Sequence, residues 1–342
     1  MKTILVTGGA GFIGSNFVKF IHKNYQDYKI IVLDALTYAG NLDNFPETLK
    51  NDVRFTFKYG NIRNTELVDN LVSQSDIVFH FAAESHVARS IFDNVVFFET
   101  DVLGTQAVTN SVLKYNKNIE KFIHISSSEV YGTALQEPMT EEHQLNPLTP
   151  YASAKAGADR LVYSYWTTYE IPAVIIRPFN NYGPHQHLEK AIPRFITSAI
   201  LGEPLIVHGN GKSERDWLYV EDCCLGLNRV LNSDMELIKG EVLNIGTGKS
   251  VSILTVAEAI LSMLGKPKSL IKFSEDRPGQ VKKHISSTEK SEKLLHWKPK
   301  TDFETGLEKT VKWYSNNRSW WEKHLWMRSI PIVLKDGQQV NF

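Results

Sequence analysis

The stretch TGGAGFIG, residues 7–14, constrains this chain more than any other. It places Gly8, Gly11 and Gly14 at three-residue spacing, between the apolar run KTILVTG (2–8) and a helical pattern through SNFVKFIHKNY. Glycines so spaced permit a tight turn, let a pyrophosphate approach the backbone and bring the helix close to the strand. The helix N-terminus then favours phosphate. Phe12 and Ile13 ride on the same turn, so they join the glycines as candidate cofactor contacts. About twenty residues on, Asp34 closes a second apolar run, KIIVLDA (29–35). A carboxylate there accepts from a ribose 2′-hydroxyl and repels a 2′-phosphate, selecting NAD over NADP. Its plainer alternative is a turn or N-cap aspartate. Asn61 and Ile62, after a third run, stand where an adenine can be bracketed.

The rhythm continues through VRFTFKYGNI (53–62), DIVFHFAA (76–83), KFIHISSSE (121–129) and PAVIIRP (172–178). Continuous apolar strands separated by helical patterns predict a doubly wound parallel α/β sheet of the Rossmann kind. After residue 178 the pattern loosens into Pro/Gly-punctuated loops and helical pieces such as VSILTVAEAILSML. This predicts a smaller α/β substrate-binding lobe over the carboxyl ends of the strands, where such sheets bind ligands. The expected division is 1–178 for the NAD-binding domain, with a return near 203–246, then 179–330 for the substrate lobe and 331–342 for a tail. The Trp-rich SWWEKHLW can pack back on the body or form an interface, and both readings stay open.

Lys plus Arg and Asp plus Glu number 38 each, which argues against nucleic acid or an anionic membrane as partner. The two cysteines, Cys223 and Cys224, are adjacent and have no zinc spacing, so neither a disulfide framework nor a metal is expected. Without a long apolar run, the expected setting is the cytoplasm.

Chemistry concentrates in two places. ISSSEVYG (125–132) sets three hydroxyls before Glu129 at a strand end, where it is either a working acid/base or an ordinary loop carboxylate. YASAK puts Tyr151 and Lys155 four apart, on one helix face. An ammonium beside the phenol, with a positive nicotinamide ring, favours phenolate, so Tyr151 can take a hydroxyl proton as hydride leaves the same carbon. Alone, the pair could be a surface pair. Following a glycine fingerprint and a serine cluster, it reads as catalytic.

Taken together, VTGGAGFIGSNF, DALTYAGNLDN, HFAAESHVARSI, SSSEVYG, YASAK, NNYGPHQHLEKAIPRFI, ERDWLYVED and EDRPGQ resemble the extended short-chain dehydrogenase/reductase family. Within it the chain is most similar to the nucleotide-sugar 4,6-dehydratase branch, the dTDP-glucose enzymes above all. The resemblance implies an NAD cofactor, a nucleoside-diphosphate sugar substrate and a homodimer. By position it assigns Ser127 to the sugar C4 oxygen and Glu129 to removal of the C5 proton. Thr37, Tyr38, Gly40 and Asn41 would line the NAD ribose and adenine, with Ala82 and Ala83 near the nicotinamide. Glu84 and Ser85 would border the sugar, and Asn181, Lys190, Arg215 and Arg277 would hold the diphosphate. An anionic nucleoside diphosphate independently calls for cations such as these three.

Two positions depart from the dTDP-glucose pattern. Those enzymes carry Thr-Asp-Glu where this chain has Ser127-Ser128-Glu129, and Asp where it has Ala88. Ser128 has no proton to give at neutral pH, so Glu129 would act as base at C5 and then as acid at C6. The same Ser-Glu pair also fits a C4 epimerase, a 4-dehydrogenase without elimination, or a UDP-uronate decarboxylase, with Arg89 the candidate cation for a uronate.

Overall fold

The computed structural model describes residues 1–115, 117–276, 278–333 and 339–341, with side chains described up to Ile330. Arg277 lies outside the described residues, as do residues 334–338 and 342 of the expected tail. Seven parallel strands form the main sheet: β1 (Lys2–Thr7), β2 (Tyr28–Asp34), β3 (Phe55–Tyr59), β4 (Ile77–His80), β5 (Lys121–Ile125), β6 (Ala173–Pro178) and β10 (Val242–Ile245). Their order is β10-β6-β5-β4-β1-β2-β3. The chain runs outward from β1 to β3 and then crosses back to β4 on the other side of β1. That reversal opens a crevice at the carboxyl ends of β1 and β4, where an open α/β sheet takes its ligand.

The central strands are largely apolar because both faces are covered, while the edge strand β3 leaves Lys58 and Tyr59 exposed. Phe17, Val18 and Ile21 of helix Phe12–Asn24 pack on one face with Ile4, Val6, Val32 and Phe79. Val68 and Leu71 of helix Thr65–Val72 and Val162 of helix Pro150–Tyr169 cover the other, against Leu5, Leu33, Val78 and Phe122.

The smaller lobe has its own core, around Ile196, Ile260, Leu307 and Trp321. It carries β7 (Asn180–Tyr182), β8 (Leu205–His208), β9 (Glu214–Tyr219), β11 (Ser250–Ser252) and β12 (Ile271–Ser274), in a three-stranded β11-β9-β7 sheet and a β12-β8 pair. Of the segment 203–246, Val242–Ile245 pairs with β6 in the main sheet, while β8 and β9 stay with the lobe. The Trp-rich segment packs back: Trp321 is fully buried and donates to Tyr314 O, and Trp320 donates to Asn44 Oδ1 at 3.2 Å. A hairpin of β13 (Pro331–Val333) and β14 (Gln339–Asn341) follows. Among the described residues no helix is long and apolar enough to cross a membrane.

Candidate active site

A cavity of about 470 Å³ opens at the carboxyl edge of the main sheet and runs into the smaller lobe. At one end its wall is backbone. Gly8 leaves β1 at φ +68°, and a Cβ there would sit 2.5 Å from Ala82 N. A Cβ on Gly14 would meet Gly8 O at 2.5 Å. Helix Phe12–Asn24 begins at Gly11 without a side-chain cap, so its first-turn N–H groups are left to an incoming group. Asp34 ends β2 and accepts from Ala10 N at 2.9 Å and Leu36 N at 2.8 Å. Burial pushes its carboxyl up from the usual range, and those two N–H groups pull the other way. Gly40 closes over it, since a Cβ would come within 2.5 Å of Asp34 Oδ1. Gly11, Phe12, Ile13, Thr37, Asn61, Ile62, Ala82 and Ala83 also line this end. A cradle that no side chain can enter, with a carboxylate at the second strand, fits a dinucleotide pyrophosphate and its ribose.

Two loop residues lie elsewhere. The Tyr38 hydroxyl accepts from Ser85 N at 3.0 Å, and its ring lies under the Arg89 guanidinium at 4.2 Å. Asn41 caps the short turn Leu42–Asn44 by accepting from Asp43 N, and its amide meets His324 Nε2 at 3.2 Å. Neither side chain reaches the cavity wall.

The catalytic candidates come together in the middle. Ser127, Ser128, Glu129, Tyr151 and Lys155 all line the cavity. β5 ends at Ile125, and the chain enters a 3₁₀ turn, Ser128–Tyr131, capped by Ser127 Oγ accepting from Glu129 N at 3.2 Å. Gly132, at φ +69°, ends that turn. Helix Pro150–Tyr169 starts on Thr149, whose Oγ1 accepts from Ala152 N, with Pro150 at its first position. Tyr151 and Lys155 follow on adjacent turns. Lys155 is buried and donates to Ile125 O at 2.8 Å. Burial lowers its pKa, while the Asp101 and Asp159 carboxylates raise it. The Tyr151 phenol faces opposing influences. Burial pushes its phenol above the ordinary value, and the hydrogen bond with Ser127 only partly offsets this. Burial thus works against the phenolate, and the positive nicotinamide ring of a bound NAD would work for it.

Two features here have no sequence signature. Asp101, in the π-helical segment Phe98–Gly104, is fully buried and accepts from Glu84 N at 2.7 Å. Its Oδ2 has no hydrogen-bond partner among the described residues, and burial pushes the carboxyl up, with the Lys155 ammonium pulling the other way. His284, far along the chain, places Nδ1 3.4 Å from Ser128 Oγ. A buried clamp holds the whole arrangement. Arg177 on β6 pairs with both oxygens of Asp159 at 2.9 Å and donates to Tyr131 Oη at 2.9 Å. Burial would raise the Asp159 carboxyl, but Arg177 holds it well below the usual range. This ties the Tyr151 helix and the Glu129 turn to the sheet.

At the lobe end, Glu84, Ser85, Asn181, Lys190 and Arg215 line the cavity. Lys190 precedes helix Ala191–Leu201 and donates to Ser85 O. Asn181 is buried, with Nδ2 donating to Phe179 O, and its Oδ1 has no hydrogen-bond partner among the described residues. Arg215, on β9, donates to Glu214 O at 2.9 Å. Arg89 is paired with the fully buried Glu189 at 2.8 Å. Arg194, one turn beyond Lys190, also lines the cavity.

The GDP-mannose 4,6 dehydratase family model matches residues 5–310. The low-salt glycan biosynthesis protein Agl12 of Haloferax volcanii is 46% identical over 91% of this chain and 98% of its own. A dTDP-glucose 4,6-dehydratase from an Actinoplanes species is 40% identical over 93% and 99%. The crystal structure of DesIV, the dTDP-glucose 4,6-dehydratase of Streptomyces venezuelae with NAD and TYD bound, superposes with TM-score 0.89 at 39% identity. It covers 94% of this chain and 99% of that one.

Proposed function

The chain belongs to the GDP-mannose 4,6-dehydratase family, and on that premise we propose how its own residues convert a nucleoside-diphosphate hexose into the 4-keto-6-deoxy sugar. The observation that carries the reading is one cavity. It joins a glycine cradle fit for a dinucleotide, the Ser127–Glu129 turn, the Tyr151–Lys155 pair and a lobe with Lys190 and Arg215. Gly8, Gly11, Gly14, Asp34 and Gly40 would hold NAD. Bound there, NAD supplies the redox chemistry, accepting hydride from sugar C4 and returning it to C6.

Tyr151, as the phenolate that the positive nicotinamide ring of bound NAD would favour, takes the C4 hydroxyl proton, with Ser127 holding the same oxygen. The C4 ketone acidifies C5. Glu129 then removes the C5 proton and passes it to the C6 oxygen, which departs as water. The proton gained by Tyr151 balances the one C5 later regains, so the cycle consumes none. Lys190, Arg215 and Asn181 would bind the diphosphate and Glu84 and Ser85 the sugar. The uronate-decarboxylase alternative is disfavoured because Glu189 already occupies Arg89. The exposed Phe98, Leu103 and Tyr169, beside or on helix Pro150–Tyr169, support a homodimer through that face. Two buried free thiols suit a reducing cytoplasm.

The test is a panel of nucleoside-diphosphate hexoses given to purified enzyme with NAD and read by mass spectrometry. A product lighter by one water is expected. A product of unchanged mass from every sugar would refute the reading.

A further inference from the structure

The hydroxyl standing where the dTDP-glucose enzymes have a carboxylate has a buried partner. His284 is fully buried, with Nε2 2.8 Å from the carbonyl oxygen of Gly132 and Nδ1 3.4 Å from Ser128 Oγ. A carbonyl oxygen only accepts, so Nε2 carries the hydrogen. In a neutral ring Nδ1 is then a bare lone pair, and the hydrogen of the second contact must come from Ser128. The ring is neutral because burial holds its pKa down to about 4, with Glu129 working against that shift and Arg215 with it. Phe179 packs edge-on against the ring, at 6.0 Å between centroids, and fixes its plane. The single hydrogen of Ser128 is thus directed away from the cavity that Ser128 lines, and only oxygen lone pairs face a ligand.

Building on the dehydratase reading, we propose that His284 is a positioning residue that locks Ser128 as a hydrogen-bond acceptor for the C6 hydroxyl of the sugar. Accepting that hydrogen turns a lone pair of the C6 oxygen toward Glu129. The C5–H bond breaks to the Glu129 carboxylate, and Glu129 delivers the proton to the C6 oxygen. The C5–C6 double bond forms as the C6–O bond breaks. The oxygen leaves as water, with its own hydrogen and the one from Glu129. One carboxylate suffices, which accounts for a serine at position 128. An unlocked serine hydroxyl would instead compete with Glu129 for the same lone pair.

The proposal predicts a split between two steps. Solvent exchange at C5 needs only C4 oxidation and Glu129, whereas water loss also needs the oriented C6 hydroxyl. Both are measured in D₂O with full-length enzyme, NAD and dTDP-glucose, UDP-glucose or GDP-mannose, for wild type, His284→Asn, His284→Gln and Ser128→Ala. The asparagine side-chain oxygen can stand near the place of Nδ1 and keep the acceptor. The longer glutamine amide reaches the place of Nε2 and keeps only the donor to Gly132. His284→Asn should stay near wild type. His284→Gln and Ser128→Ala should lose about tenfold in water loss relative to exchange. Equal behaviour of the Asn and Gln variants overturns the assignment. So does an unchanged ratio in Ser128→Ala, a small cavity-lining change that leaves the ring packing intact. A wild-type enzyme that oxidises C4 yet never loses water contradicts the dehydratase reading itself.

Discussion

The two ends of the cavity are built by different means. At the dinucleotide end the wall is backbone, and its shape depends on atoms that are missing: a Cβ on Gly8, Gly14 or Gly40 would overlap a neighbour at 2.5 Å. At the sugar end the wall is side chains, nearly all held by other parts of the protein. Lys155 is fixed by Ile125 O, Lys190 by Ser85 O, Glu189 by Arg89 and Ser128 by His284. A steric cradle tolerates one cofactor and leaves its signature in a few consecutive residues. A tethered wall sets its chemistry through partners dispersed along the chain, so neighbouring activities can share a fold.

The largest expected effect separates the two ends. Tyr151→Phe should lower kcat by about 10²–10⁴-fold, while NAD affinity, measured by fluorescence titration, stays near wild type. A comparable loss of NAD binding would mean that the ends are not independent. Next is the clamp. Arg177→Met leaves the buried Asp159 paired only with the half-exposed Arg160, and should cost up to about 3–5 kcal/mol in denaturant unfolding. Because the Asp159 carboxyl is held low in the folded state, its contribution is present above the ordinary carboxylate range. It is lost as pH falls through that range toward the depressed folded value. Wild type should therefore lose stability on acidification more steeply than Arg177→Met, and parallel profiles would count against the clamp. Gly8→Ala comes third, at about 1–2 kcal/mol from the left-handed backbone alone, with NAD retention lost through the overlap at Ala82. Retained NAD in that variant would break the steric account of the cradle. The smallest is Thr149→Ala, which should cost about 1 kcal/mol through the helix cap and reduce kcat only by loosening Tyr151. Thermal unfolding and steady-state kinetics together check it.

The same contrast explains what could be read in the sequence. Gly8, Gly14, Asp34 and the strand–turn–helix around them were legible because local spacing expresses local geometry. The Ser127–Glu129 turn and the Tyr151–Lys155 pair were legible as candidates, since each is one short motif. The upward push on the Tyr151 phenol was not, because it comes from burial by distant segments against a nearby hydroxyl. Nor were Asp101 and His284, which become relevant only when the chain brings residues 84 and 128 against them. Tyr38 and Asn41 belong to a loop whose ends are set by the cradle, but whose side chains answer to Arg89 and His324. The Trp-rich segment was undecided until its indoles found Tyr314 O and Asn44.

The central claim is a redox-neutral cycle in which Glu129 moves one proton from C5 to the C6 oxygen. The most direct test uses a nucleoside-diphosphate hexose deuterated at C4, incubated with enzyme and NAD in ordinary water and, separately, in D₂O. The account predicts loss of one water, the C4 deuterium recovered at C6, and one solvent-derived deuterium at C5 in the D₂O sample. A product that keeps its C6 oxygen, with the C4 deuterium still at C4 or lost from the sugar, would contradict it.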